Sequence, residues 1–147
     1  MTTTQKHTLK ISRTFDAERE RVFKAFTDPS LVPLWWGPPG YTVPLCEMDV
    51  REGGSYRVGM KGEAGDLHHL RGEFREIKPH DRLVYTFIWE EGDHADLEML
   101  VTLEFLDSGA GTEVKLTQEG LPSEKSRADH EGGWYGSFDR LVVLVEN

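Results

Sequence analysis

Near the end of the chain, apolar residues fall at Trp134, Phe138, Leu141 and Val145, the i, i+4, i+7, i+11 spacing of one helix face. A helix with that stripe needs an apolar surface to lie on. Upstream, Leu83, Tyr85, Phe87 and Trp89 share one face of a strand, and Met99, Val101, Leu103 and Phe105 share a face of another. The pattern predicts a long C-terminal helix lying across a curved antiparallel sheet, with Trp134 and Phe138 on the concave side and Arg140 and Glu146 exposed. Several facing side chains are bulky or amphipathic, so the space between the layers is a candidate ligand cavity.

The remaining elements follow from turn signals and caps. Leu9 and Ile11 alternate with polar residues in a first strand, after which Asp16 is placed to cap a helix through about Phe26, with Val22, Phe23 and Phe26 inward. Asp28 before Pro29 predicts a second short helix that runs into Trp35 and Trp36 and is ended by Gly37 to Gly40. Gly- and Pro-containing turns then separate six strands near 42–51, 54–61, 68–77, 82–90, 97–106 and 112–119. Ser123 or Asp129 starts the closing helix. The expected class is α+β, one domain over 1–147, with seven strands wrapped around the last helix and two short helices between strands 1 and 2.

Composition narrows the function. With 17 Lys+Arg against 26 Asp+Glu the net charge is −9, and no basic block offsets it, so nucleic acid is not an expected partner. No apolar run reaches the roughly 20 residues that cross a bilayer, and residues 1–6 lack the apolar segment of a secretory signal, so no membrane partner is expected. The single cysteine, Cys46, excludes an internal disulfide and suits a reducing cytoplasm.

Of Trp35 and Trp36, at most one is expected to line a lumen, the other acting as a hydrophobic plug. His68 and His69 are adjacent, so only one can look inward, and His68 shares parity with Leu70, Gly72 and Phe74. A metal site joining His68 to His94 or Asp66 has no recognised ligand spacing, and none is expected. His130, one turn before Trp134, is placed to reach the cavity rim or a sheet-edge carbonyl, the latter preferred. Glu47, Asp49 and Arg51 read as a surface charge ladder, with Cys46, Met48 and Val50 on the opposite face. No Ser-His-Asp pattern, phosphate loop or cofactor motif is present, so no catalytic residue and no cofactor is expected.

A set of short motifs resembles one family: Phe15-Asp16-Ala17, Arg21-Val22-Phe23, Phe26 to Pro29, Trp35 to Pro38, Asp49 to Gly54, Gly72 to Ile77 and His130 to Trp134. Together they are similar to the successive motifs of the activator-of-heat-shock-ATPase homologue-like family, from about Leu9 to Val145. That family lies in the helix-grip superfamily of START domains and birch-pollen allergens. The resemblance implies the helix-grip fold. It leaves the activity open, because relatives bind lipids, hormones or polyketides, and a few are cyclases or hydrolases. Namesakes that activate the heat-shock chaperone carry a further N-terminal domain, so chaperone activation is expected to be absent or weak in this chain.

The leading expectation is a protein that binds a small apolar or aromatic molecule between sheet and closing helix. Its wall would be Trp36, Tyr56, Met60, His68, Phe74, Tyr85, Phe87, Trp89, Met99, Trp134 and Phe138. The alternatives are a co-chaperone-like role through the outer surface and a cyclase or hydrolase using His68 or His130. A chaperone contact and a homodimer stand as further partners under these readings.

Overall fold

The order of elements forces one segment to cross the whole molecule. In the computed structural model, which describes residues 6–92 and 94–146, strands β1 (His7–Phe15) and β2 (Thr42–Met48) lie at opposite edges of one sheet. Between them run helix α1 (Arg19–Thr27) and a single 3-10 turn (Val32–Leu34), which close one end of the sheet. The polar start at residues 1–5 lies outside the described residues.

From β2 the chain meanders through β3 (Ser55–Lys61), β4 (Leu67–Lys78), β5 (Arg82–Trp89), β6 (Met99–Ser108) and β7 (Gly111–Leu121). Every neighbour is antiparallel, and β1 completes the order β1-β7-β6-β5-β4-β3-β2 by pairing with β7, Phe15 opposite Thr112. Helix α2 (Glu124–Val145) lies in the concave face. Ser123 caps it, its hydroxyl accepting the Ser126 N–H at 3.0 Å. The predicted stripe is the buried one: Trp134, Phe138, Leu141 and Val145, with Ser137 between them. The helix packs closest to β1, α1, β7 and the 3-10 turn, and stands off β3, β4 and β5. That asymmetry leaves a space on the β3 to β5 side.

Two local expectations are corrected. Asp16 does not cap α1. Its N–H donates to the Glu146 carboxylate at 2.9 Å, and the Ala17 carbonyl accepts from the Thr112 hydroxyl at 2.8 Å, so residues 16 and 17 form a bend, Glu18 is extended and the helix begins at Arg19. Nor does Asp28 open a second α-helix. Its carboxylate folds back to accept the N–H and hydroxyl of Ser30, at 2.8 and 2.6 Å, and Pro33 has no N–H to continue a helical ladder; only the 3-10 turn forms.

The outer face carries the charges. Glu47 stands opposite Arg57, while β2 ends at Met48, so Asp49 and Arg51 pair with each other at 2.8 Å in the turn beyond it. Val50 lies in that turn as well and is exposed; it does not share a buried face with Cys46 and Met48. No helix among the described residues is long and apolar enough to cross a membrane.

Candidate functional site

Where α2 stands off the sheet, a cavity of about 200 Å³ remains. Its sheet wall is Met60 from β3 with Phe87 and Trp89 from β5; its helix wall is His130, Gly133, Trp134 and Ser137; its third side is the loop Trp36-Gly37-Pro38. Three indoles from three separate elements thus face one space. Phe87 bridges them, its ring 5.4 Å from Trp89 and 6.3 Å from Trp134, and Trp36 meets Trp134 edge-on at 6.5 Å.

Two of the three indole N–H groups of this wall are bonded into the protein, while that of Trp36 has no hydrogen-bond partner among the described residues. The Trp134 indole N–H donates to the Gln118 carbonyl oxygen at 2.9 Å, and the Trp89 N–H donates to His130 Nε2 at 3.0 Å. That second bond sets the tautomer: Nε2 must accept, so Nδ1 carries the proton and donates to the Ser126 carbonyl one turn earlier, at 2.7 Å. Burial holds the His130 imidazole below its ordinary pKa, against the Ser126 bond, which acts in the other direction. His130 therefore lies in the cavity wall and bonds an indole and its own helix; the sheet-edge carbonyl expected for it is not its partner.

The loop wall is fastened to the helix. The Gly37 N–H donates to the Ser137 hydroxyl at 3.0 Å, and that hydroxyl donates to the Gly133 carbonyl. Arg140 Nη1 donates to the carbonyls of Trp36, Gly37 and Tyr41 at 3.3, 3.1 and 3.3 Å. Arg140 is half-buried by these bonds, which corrects its expected exposure; Glu146 is exposed as expected.

Next to the main cavity is a chamber of about 40 Å³, bordered by Tyr56, Phe74, Tyr85 and Trp36 among others. Trp36 belongs to both linings. The Tyr56 ring lies where a Cβ on Gly72 would sit, at 2.6 Å from it, and its hydroxyl donates to the Thr86 carbonyl at 2.6 Å. The β4–β5 ladder is interrupted there, and the Thr86 hydroxyl accepts the Glu73 N–H in its place. Trp35, its N–H bonded to the Ala25 carbonyl at 2.9 Å, is the plug, and Trp36 is the indole that also lines the main cavity.

The expected wall residues therefore divide. Trp36, Met60, Phe87, Trp89 and Trp134 meet in the main cavity, and Tyr56, Phe74 and Tyr85 in the smaller chamber. His68 and Met99 sit at the outer mouth, with His68 Nε2 at 2.7 Å from the Asp66 carboxylate. Phe138 borders neither space. It is fully buried against Phe15, Phe26 and Trp134, with ring centres at 5.8, 6.4 and 5.9 Å, because the helix meets the β1 side closely at that turn. Sequence reasoning missed Gly133, Ser137, Gly37 and Pro38; the glycine pair 132–133 inside a predicted helix was the available signal.

For metals, His69, Glu90 and Glu91 bring ligand atoms within 4.8 Å of one another near the mouth. Arg57 holds Glu90 through two bonds of 2.9 Å, and Glu91 is bonded to the His69 ring at 2.6 Å, so the cluster is satisfied by its own ion pairs. The Cys46 thiol is pushed up to about 11 by burial, unlike a reactive thiolate.

Comparison with known proteins agrees with the fold. Residues 16–146 match the family described as activator of Hsp90 ATPase homolog 1-like protein. The chain belongs to that family. A crystal structure of a protein from Chromobacterium violaceum is similar at 30% identity and a TM-score of 0.87, covering 96% of this chain and 99% of that one. The AHSA1 protein of Silicibacter pomeroyi is similar at 23% identity and a TM-score of 0.83, over 95% and 98% of the two chains. No match was found among curated proteins.

Proposed function

We propose that this protein binds a small apolar or aromatic molecule in the cavity between α2 and strands β3 to β5. The observation that carries this reading is the wall itself: three indoles and Phe87 around about 200 Å³, with the Trp89 and Trp134 N–H groups already bonded to protein. Such a wall offers flat apolar contact and little hydrogen bonding. An apolar cavity of about 150 Å³ is known to hold benzene, so this one suits a ligand of one or two fused rings. Burial contributes about 25 cal/mol per Å² and ordering offsets much of it, so a generic probe should bind in the micromolar range.

The cyclase or hydrolase alternative receives less support, because both ring nitrogens of His130 are engaged and His68 lies at the mouth with Asp66. A single half-buried cysteine supports a reducing, cytoplasmic setting. The test is a titration with naphthalene-type probes, read by tryptophan emission and by thermal shift, on the native protein and on Trp36→Leu. Quenched emission with a raised Tm in the native protein, weakened in the variant, is the expected result. No response from any probe in either readout would refute the binding role.

A further inference from the structure

We propose that the ligand is an uncharged aromatic molecule carrying a carbonyl or hydroxyl oxygen at its leading end, and that the Tyr85 hydroxyl is the donor that receives that oxygen. This rests on the binding reading above. Tyr85 and Tyr56 are both buried, at 8% and 7% exposure, with rings 5.4 Å apart, yet they differ in one respect. The Tyr56 hydroxyl is committed to the Thr86 carbonyl, whereas the Tyr85 hydroxyl has no hydrogen-bond partner among the described residues. Among those residues every fully enclosed side-chain polar atom has a partner. The Tyr85 hydroxyl is thus not enclosed by protein, and Tyr85 borders the chamber of about 40 Å³. A phenol hydroxyl that no protein group engages keeps its donor free for whatever enters the chamber, so a ligand oxygen there gains a hydrogen bond in exchange for one to water.

The chamber has room for a single polar group or a water, and none for a ring. In this proposal the ring remains in the main cavity and its oxygen reaches past Trp36, the residue common to both linings. Burial raises the Tyr85 phenol well above its ordinary pKa, so it stays protonated and able to donate.

Charge selects against anions. Among the described residues, no charged side chain lines the chamber, and the main cavity has Asp129 alone. At the mouth, Lys125 is bonded to Asp129 at 2.9 Å, while Glu91 is held ionised first by the His69 N–H and Asp66 first by its bond to His68. A carboxylate ligand would pass fixed negative charge on entry and find no cation inside.

The experiment compares ethylnaphthalene, acetylnaphthalene and naphthoate, substituted at the same ring position, by fluorescence titration at neutral pH. The acetyl probe is expected to bind about three to ten times more tightly than the ethyl probe, the range of one net hydrogen bond. Naphthoate should bind at least about tenfold more weakly than the acetyl probe. Tyr85→Phe should erase the acetyl preference, read as the ratio of acetyl to ethyl affinity within the variant, while Tyr56→Phe should keep that ratio. Independently of any variant, the carbonyl stretch of the bound acetyl probe should move to lower wavenumber in the native protein. Equal binding of acetyl and ethyl probes, a preference that survives Tyr85→Phe, or naphthoate binding as well as the acetyl probe would each overturn this inference while leaving the cavity reading intact. Failure of all three probes to bind the native protein would overturn both.

Discussion

Three glycines of α2 invite the same substitution with different outcomes. A Cβ built on Gly132 or Gly133 meets no atom within 4 Å, whereas one on Gly136 meets the Pro39 ring at 2.8 Å. Within a helix, Ala is favoured over Gly by about 0.8–1.0 kcal/mol. Gly132→Ala and Gly133→Ala should each stabilise by nearly that amount, raising Tm by about 2–4 °C for a chain of this size. Gly136→Ala should be net destabilising. The loop holding Pro39 is tied to α2 by Ser137 and Arg140 and cannot back away, and overpacking of about 1–3 kcal/mol outweighs the helical gain.

Binding separates the two stabilised variants. Gly133 lines the cavity, so its new methyl group enters the ligand space and should weaken a naphthalene-type probe about tenfold, while Gly132→Ala leaves affinity unchanged. Urea denaturation and fluorescence titration measure the two effects. Equal stability changes at all three positions would refute the helix placement. A stabilised Gly133→Ala with native affinity would refute the claim that this turn borders the ligand.

Phe138→Ala should cost about 3–5 kcal/mol in urea denaturation, since the ring is fully buried among other rings; a loss below about 2 kcal/mol would reveal a void already present. For His130, burial depresses the folded-state pKa below the ordinary 6.5, so as pH falls below that value the unfolded chain takes up the proton first and stability is lost until the folded group titrates too. Urea midpoints should therefore drop more between about pH 7.5 and 5.5 in the native protein than in His130→Gln, and parallel curves would contradict the assignment. With its thiol raised to about 11, Cys46 should react with iodoacetamide at about pH 8 roughly a hundredfold more slowly in the folded than in the unfolded chain; comparable rates would show that it is not shielded.

The strands and the closing helix were legible because their periods, 2 and 3.6, are set by which face is buried, and Trp134, Phe138, Leu141 and Val145 recorded that face directly. The same stripe could not say where the helix leaves the sheet, so Trp134, which lines the cavity, and Phe138, which does not, looked alike. Arg140 carries no local sign of its role, since the carbonyls it binds lie about a hundred residues away in the chain. The second α-helix expected at Asp28 failed because an Asx turn competes with an N-cap for the same carboxylate. Tyr56 and Tyr85 have equivalent positions in their strand patterns. Their difference comes from a glycine on a third strand, Gly72, which lets one hydroxyl reach a backbone carbonyl and has no counterpart for the other.

The placement of β1 and β2 at opposite edges bears on when a binding site exists at all. Phe15 sits opposite Thr112, so seating β1 closes a chain loop of about a hundred residues, at an entropic cost on the order of 4 kcal/mol. Trp36 and Pro38 travel on the segment that this closure draws across the sheet. None of the cavity's lining residues lies in β1, but α2, which supplies His130 and Trp134, packs against β1 more than against any other strand, so β1 holds the helix wall in place. The pocket is therefore a property of the closed ring of contacts, and a molecule that occupies it acts as a clasp on the amino-terminal strand, adding RT ln(1 + [L]/Kd) to the hold on the part of the chain most remote from its partner in sequence.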